Sequence, residues 1–413
     1  MDIVVKKFGG TSVGDISRIK HVAKLIGQYK AENPSTAVVV VVSAMGGETN
    51  KLVELAKSCV EDPHPRELDV LLATGEQVTI ALLSMALIDL GLKAKSLVAQ
   101  QAKISTDTRH NNAKITAIEA SVLNKTLEAG SIAVVAGFQG IDEAGDVTTL
   151  GRGGSDITAV AIAAALKAKA CYIYTDVEGV YSSDPRICQN ARHLKQVCHE
   201  EMLEMASLGA KVLHPRSVYF AMRYEVPLVV LSTFNPVPQT WIIKEEELME
   251  KPVVTGITYR MDEAKITVNK LPRTSRALDI IFGKLAAEGI FVDMITQSGQ
   301  SGETFDLSFT VPDEVSSKAL AYTQDCVPQL GAEAAHLERN IAKVSVVGVG
   351  MKYHTGVAAK MFSILAKESI DVEMIATSEI KISVLLPRKY GEVAVRALHE
   401  AFVELEPVVS QEK

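Results

Sequence analysis

The stretch "VVKKFGGTSVGD", Val4–Asp15, decides how the rest of the chain reads. β-Branched residues run into two lysines, an aromatic, two adjacent glycines and two hydroxyls. A hydrophobic strand therefore ends abruptly and leaves Lys7, Gly9, Gly10, Thr11 and Ser12 at its tip. Paired glycines permit a tight turn and a close backbone approach by a ligand. Unpaired N–H groups near a helix start attract anions, and a lysine adds a mobile positive charge. The stretch thus asks for a phosphate, although an ordinary strand-to-helix turn would carry the same residues. It is not a Walker loop, because the GxxxxGK[ST] spacing is absent and the lysine precedes the glycines.

Working outward, apolar runs alternate with helical patterns as far as Phe234. "AVVVVVS" leads to a helix near Thr49–Cys59, as the first strand leads to one near Ile16–Lys30. "IAVVAGF" at Ile132–Phe138 precedes a glycine-rich hairpin. "CYIYTDV" follows a helix over Asp156–Ala168, and "PLVVLS" at Pro227–Ser232 closes the series. Uninterrupted apolar strands beside amphipathic helices predict a mostly parallel sheet covered on both faces. Ligands on such sheets sit beyond the carboxyl ends of the strands. "KFGGTS", "SAMGGETN", "GRGGSD" and "TDVEGVYSSDPR" all fall there.

After the proline-bearing "FNPVPQTW" (Phe234–Trp241) and the charged "KEEELMEKP", the chain repeats itself. Phe282 matches Phe362, Leu285 matches Leu365, Glu288 matches Glu368 and Ile290 matches Ile370, each 80 residues on. "VDMITQS" at Val292–Ser298 matches "VEMIATS" at Val372–Ser378. Alternating strands, "FDLSFTV" and "IKISVLL", follow in each copy. Each copy reads as a ferredoxin-like βαββαβ sandwich. The expected domains are a catalytic domain over 1–245 and two small modules over 252–335 and 336–413.

The totals narrow the function classes. The chain has 413 residues, 47% of them hydrophobic and 23% charged, enough for two or three domains with sizeable cores. A net charge of −7 supplies no global field for nucleic acid or anionic lipid. Five scattered cysteines form no CxxC pair, which speaks against a disulfide framework or zinc site and for a reducing cytoplasm. No secretory leader pattern opens the sequence, and the longest apolar runs are too short to span a bilayer. A cytoplasmic protein without membrane or nucleic-acid partners is the expectation.

Several clusters could carry chemistry. In "TLGRGGSDITA", Arg152 precedes two glycines, and Ser155 or Asp156 reads first as a helix N-cap. Arg152 beside exposed N–H groups would also clamp a carboxylate or phosphate. In "YTDVEGVYSSDPR", Tyr181 offers a stacking face and Arg186 a phosphate contact. "SLGAKVLHPRS" presents Lys211 and His214, which a solvated helix residue and a structural histidine explain equally. "VVSAMGGETNKL" sets Ser43 beyond a strand and Thr49 as a cap for the next helix. Glu76 stands among Leu71, Leu72, Ile80 and Leu82, so it needs a partner, a site, or a solvent-facing helix side. Cations and glycine-rich amides without a Ser-His-Asp set suit phosphoryl transfer, which requires positioning and charge neutralisation.

Taken in order, "KFGGTSV", "VVSAMGGETN", "GRGGSDITA", "YTDVEGVYSSDPR" and "GAKVLHPR" resemble the amino acid kinase fold of the aspartokinase family. The duplicated tail resembles that family's tandem ACT domains. The resemblance implies ATP-dependent phosphorylation of the L-aspartate side chain, with Mg2+ on the nucleotide. It implies Lys7 at the transferring phosphoryl group, with Asp156 organising it. Phe8, Gly9, Gly10, Ser43, Thr175, Asp176, Tyr181, Arg186 and Lys211 would line the ATP site. Thr49, Glu76, Arg152 and Ser155 would hold aspartate, Glu76 on its ammonium and Arg152 on a carboxylate, with Phe138 as a wall. Lysine, threonine or both are the implied effectors, near Met294, Gln297 and Ser378; ferredoxin-like pairs often complete a sheet between chains, so a homodimer or higher homo-oligomer is the expected assembly. One departure stands out: Arg276 occupies the place of Gly356, replacing the glycine turn expected at an effector loop.

Other readings compete with this one. A dehydrogenase would need a GxGxxG motif after the first strand, and none is there. A kinase acting on another amino-acid carboxylate would share the nucleotide motifs but not the doubled tail. A catalytically inactive amino-acid sensor would use the tail alone.

Overall fold

The computed structural model describes residues 2–210, 212–235, 237–248, 252–299 and 302–404. They divide into two compact units. The first holds the chain up to Val180, His193–Ser207 and the described residues from 212 to 248. The second holds Tyr181–Arg192, Leu208–Ala210 and the described residues from Pro252 onward.

In the first unit, β1 (Ile3–Phe8) passes through the glycine turn into α1 (Ile16–Glu32), and β2 (Ala37–Val42) leads to α2 (Glu48–Cys59). Asp15 caps α1 by accepting the Arg18 N–H at 2.9 Å. Next come α3 (Pro65–Asp89), β3 (Ala94–Leu97), the single turn α4 (Ala99–Ala102) and β4 (Ile104–Thr106). β5 (Ile115–Ile118), α5 (Ser121–Glu128) and β6 (Ile132–Ala136) lead to a hairpin, β7 (Gln139–Ile141) and β8 (Val147–Thr149). A second strand passage follows, α6 (Gly154–Ala165) into β9 (Ala170–Thr175). β10 (Gln196–Cys198), α7 (His199–Ser207), α8 (Pro215–Arg223), β11 (Leu228–Ser232) and β12 (Gln239–Ile243) complete the unit.

Eight strands form one sheet in the order β10-β12-β11-β9-β1-β2-β6-β3. Every pairing is parallel except that of β11 with β12, as the apolar runs predict. Val38, Val40 and Val42 pack with Ile19, Val22 and Ile26 of α1 and with Ile80, Leu83 and Leu87 of α3. Val39 and Val41 alternate to the other face, where the alanine-rich α6 lies against β1 and β2. α3 is long and apolar enough by composition to cross a membrane. It packs on α1, β3, β6 and β8 and turns Asp69 and Glu76 inward, as a core helix does.

The two adjacent lysines of β1 part company through the same alternation. Lys6 enters a cage of Tyr29, Tyr172 and Tyr174 rings at 3.7, 4.6 and 5.1 Å, and donates to the Tyr174 hydroxyl at 2.9 Å. Burial lowers its pKa to about 7. Lys7 faces α6, and only it can reach the strand tips.

The second unit contains β13 (Gly256–Arg260), β14 (Glu263–Pro272), α9 (Ser275–Ala287), β15 (Ile295–Ser298) and β16 (Thr304–Pro312). It continues with α10 (Ser316–Leu330), β17 (Ala334–Glu338), β18 (Ile341–Val347), α11 (Val357–Lys367), β19 (Met374–Thr377), β20 (Lys381–Pro387) and α12 (Gly391–His399). The first module's sheet runs β15-β16-β14-β17 and the second's runs β19-β20-β18-β13. The two orders correspond, with β13 filling the place that β17 fills in the first module. The modules are therefore not the contiguous blocks 252–335 and 336–413: the first is threaded between two parts of the second. β13 pairs with β18 because its residues complete that apolar sheet, burying Ile257 beside Val344 and Val346.

Tyr181–Arg192 is also built into the second unit. Ile187 and Cys188 pack into its core with Val254, Ile257 and Leu398. The Ser182 hydroxyl lies 2.8 Å from His399 Nε2, and the Ile257 N–H donates to the Ser182 carbonyl at 2.7 Å. Met294 is buried with Ile341, Met374 and Leu385. Its N–H donates to Thr310 Oγ1 and its carbonyl accepts the Thr310 N–H, so the fold consumes its side chain and main chain alike. Gln297 and Ser378 are exposed. The two repeat helices also start differently. Thr274 caps α9 by accepting the Ala277 N–H, which places Arg276 inside the first turn, whereas Gly356 caps α11 at φ +92°.

Candidate functional site

β1 runs between β2 and β9, so their carboxyl ends bring "KFGG", "SAMGG" and the end of "CYIYT" to one edge. Lys7 Nζ lies 2.5 Å from Asp156 Oδ1 there, both side chains nearly buried. Asp156 is the third residue of α6, where the helix dipole favours a carboxylate. Neither Ser155 nor Asp156 is the N-cap. That place belongs to Gly153 at φ +72°, and a Cβ there would meet the His214 ring at 2.4 Å. The glycine is required by left-handed backbone and by a side chain packed against it. His214 itself caps α8 by accepting the Arg216 N–H, and burial beside Arg216 lowers its pKa.

The glycine turn after β1 divides its work. The Gly9 N–H donates to the Tyr174 carbonyl at 3.2 Å, so it is not free for a phosphate. Gly10 and Thr11 donate their N–H groups to no acceptor among the described residues. A Cβ on Gly10 would lie 3.1 Å from the Ala44 carbonyl, so the first and second strand tips pack closely. Ser43 Oγ donates to Ser155 Oγ at 2.9 Å, joining the β2 tip to the start of α6. Thr49 is not a cap: Gly47 caps α2 at φ +80°, and Thr49 sits in the first turn. Phe8 is buried and stacks on Tyr174 with ring centroids 4.4 Å apart, a core contact that shapes the turn from behind.

Glu76 is 3% exposed. One oxygen accepts the Ala44 N–H at 2.9 Å, and the other has no hydrogen-bond partner among the described residues. Burial pushes its pKa up to about 7, against the lowering effect of the Ala44 bond. A buried acid with one unsatisfied oxygen is suited to a cationic ligand. Phe138 holds φ +68°, and its ring lies close enough to Gly154 that a Cβ there would approach within 2.8 Å. Arg152 is exposed on its turn and has no hydrogen bond or ion pair within the protein among the described residues.

The structure therefore brings Lys7, Gly10, Ser43, Ser155 and Asp156 to one edge of the sheet, with Phe138 against Gly154 and Glu76, midway along α3, bonded to Ala44; Thr49 lies in the first turn of α2. Thr175 ends β9 and donates to the exposed Asp176 at 3.1 Å. Tyr181 and Arg186 belong to the second unit, where the Arg186 guanidinium is held by Asp184 at 2.6 Å. Lys211 lies outside the described residues. Sequence reasoning passed over Asp69, Asn111, Thr149 and Arg216, which shape the Arg152 turn. The available signal was Asp69 itself, a second acid seven residues before Glu76 on the same apolar helix.

Residues 2–232 match the model of the amino acid kinase family, and residues 344–402 match an ACT domain. An aspartate kinase of Stutzerimonas stutzeri is 52% identical over 403 residues, covering 97% of each chain. The structure of E. coli aspartokinase III with aspartate and ADP, in its R-state, superposes with a TM-score of 0.80 at 26% identity. It covers 97% of this chain and 99% of that one. The same enzyme with lysine and aspartate, in its T-state, gives 0.75 at 26% identity, covering 98% and 100%.

Proposed function

Because this chain belongs to the aspartokinases of the amino acid kinase family, we infer that it transfers the γ-phosphoryl group of ATP to the side-chain carboxylate of L-aspartate. The products are 4-phospho-L-aspartate and ADP. A carboxylate oxygen forms the new bond to the γ-phosphorus, and the bond from that phosphorus to the β–γ bridging oxygen breaks. The nucleophile is already ionised at neutral pH, so no general base is required. What remains is alignment and neutralisation of charge on the transferring group.

The Lys7–Asp156 pair beside the free amides of Gly10 and Thr11 carries this reading. Lys7 meets the transferring phosphoryl group, and Asp156 orients it. The unsatisfied Glu76 oxygen takes the aspartate ammonium, and the free Arg152 guanidinium takes a carboxylate. Ser155, Thr49 and Phe138 bound the same pocket. Thr175 and Asp176 extend the nucleotide side. Asp156, the acid paired with Lys7, is the residue that would hold Mg2+, which would supply neutralisation of phosphate charge. Among the described residues no group of three or more His, Cys, Asp or Glu forms a cage, and the nucleotide supplies most of the oxygen ligands that Mg2+ prefers.

The paired ACT modules supply feedback regulation, with lysine as the effector supported by the lysine-bound relative. Threonine and the nucleotide roles of Tyr181, Arg186 and Lys211 rest on the resemblance alone, and a homodimer or higher homo-oligomer rests on the sheet edges of the paired modules. All five cysteines are free, which supports a reducing cytoplasm.

The decisive experiment is ADP release with ATP and L-aspartate, with and without millimolar lysine or threonine. We expect release that requires aspartate and falls with lysine. No aspartate-dependent release would overturn the activity, and rates unmoved by either amino acid would remove the regulation.

Glu76 adds a pH dependence. Its pKa is raised, so it is neutral below about 7 and can attract an ammonium only above it. kcat/KM for aspartate is expected to rise with pH through about 7. Glu76→Gln should flatten that rise and increase KM for aspartate at least about tenfold, the scale of one charged hydrogen bond. Stability of the ligand-free protein runs the opposite way. A carboxyl whose folded pKa is raised stabilises the fold below its unfolded value, and this is lost as pH climbs through about 7. Melting temperatures of the two proteins at pH 5 and pH 8 check the sign: Glu76→Gln should gain relative to the parent only at the higher pH.

A further inference from the structure

Asp69 does no chemistry in the reading above, yet its carboxylate is fully buried. It lies on α3 seven residues before Glu76, so two helical turns set both acids on one face. Its oxygens accept the Asn111 N–H at 3.1 and 3.0 Å and the Thr149 hydroxyl at 2.5 Å. His110 Nδ1 lies 2.9 Å away. Thr149 ends β8, three residues before Arg152. The same turn is gripped from α8, where Arg216 donates to the Leu150 carbonyl at 2.6 Å and to the Ala113 carbonyl at 3.0 Å. Gly151, at φ +74°, passes so near the Asn111 carbonyl that a Cβ would lie 3.0 Å from it. The backbone around Arg152 is thus tied on both sides, while its side chain stays free.

A carboxylate removed from water is costly unless its hydrogen bonds are in place. Here those bonds come from two distant segments, His110–Asn111 at 41 and 42 residues away and Thr149 at 80, and both must assemble together. Such a network specifies a geometry as well as contributing stability. We propose that Asp69 is a positioning residue for the amino-acid substrate. Through Thr149 and Asn111 it sets the Arg152 turn at a fixed distance from Glu76, so that one helix registers both groups gripping the substrate. This rests on the roles given above to Glu76 and Arg152.

The test is steady-state kinetics with aspartate and ATP varied separately. Thr149→Val keeps the shape and removes the donor. It should raise KM for aspartate at least about tenfold, as small misplacements of binding groups do, and leave KM for ATP within about twofold. Thr149→Ser, which restores the hydroxyl, should recover the parent KM. Asp69→Asn should raise the same constant, and combining it with Thr149→Val should add less than the product of the two effects. If Asp69→Asn does not fold, Thr149→Val decides alone. An unchanged aspartate KM in Thr149→Val, or a parallel rise in both KM values, overturns the proposal. Arg152→Ala separates the two levels. A raised aspartate KM there with a normal one in Thr149→Val sinks only the positioning role, whereas a normal KM in Arg152→Ala sinks the substrate reading and this proposal with it.

Discussion

Lys7→Ala is expected to fold normally and to lose turnover at least about a hundredfold, the scale of removing one transition-state charge contact. The fold survives because Lys7 sits at the strand tip, outside the apolar cluster that Val4 and Phe8 enter on the other face of β1. Its ammonium meets one protein carboxylate, Asp156, at 2.5 Å. Removing it leaves that carboxylate, at the proposed phosphate site, without its cation. The loss should therefore fall on kcat and kcat/KM together, since charge on the transferring group is greatest at the transition state. Lys7→Arg should not rescue the variant, because a planar guanidinium fills a different space from a compact ammonium. Rates of ADP release and a circular-dichroism melt check both halves. Near-normal turnover with an intact melt would refute the role of Lys7.

The second large effect is on stability. Lys343, on β18, is 1% exposed by its side chain and lies 3.4 Å from the equally buried Glu263, with Asp293 in closer contact. Arg260 adds a second cation 3.2 Å from Glu263. Lys343→Ala would leave the buried Glu263 carboxylate with only the part-exposed Arg260 beside it and would strip the part-exposed Asp293 of its cation. Breaking such a buried pair costs about 3–5 kcal/mol. The loss should appear in the unfolding transition of the second unit, followed separately because two compact units need not unfold together. Replacing the pair at once, Lys343→Met with Glu263→Gln, should cost clearly less, since both fully buried charges then go and only the part-exposed Asp293 and Arg260 lose a partner. A single variant within about 1 kcal/mol of the parent would show that Arg260 or solvent already neutralises these acids.

Local sequence was sufficient to place some of these residues at the strand tips. Lys7, Gly10 and Asp156 were legible because a strand end, a glycine turn and a helix start are each encoded within a few residues. The alternation along β1 sends Lys6 into a tyrosine cage and Lys7 to the site, and period two alone separates them. Caps were read less well. Ser155 and Thr49 have the chemistry of N-caps, but Gly153 and Gly47 take those places because the backbone there must turn left-handed. The Gly9 amide looked available until β9 placed the Tyr174 carbonyl against it.

What the amino-acid order determined by itself was the alternation of apolar strands and helices, the duplicated tail, and the polar residues left at strand tips. The strands, helices and strand tips depend on neighbours one to four positions away, and the duplication shows as matches 80 residues apart. Tertiary structure alone decided that β13 completes the second module, that Tyr181–Arg192 joins the second unit's core, and that Asp69 governs the Arg152 turn. Each of those joins residues tens of positions apart, and no local propensity ranks one distant partner over another. The choice falls to which pairing buries the most apolar surface while leaving no buried charge without its hydrogen bonds.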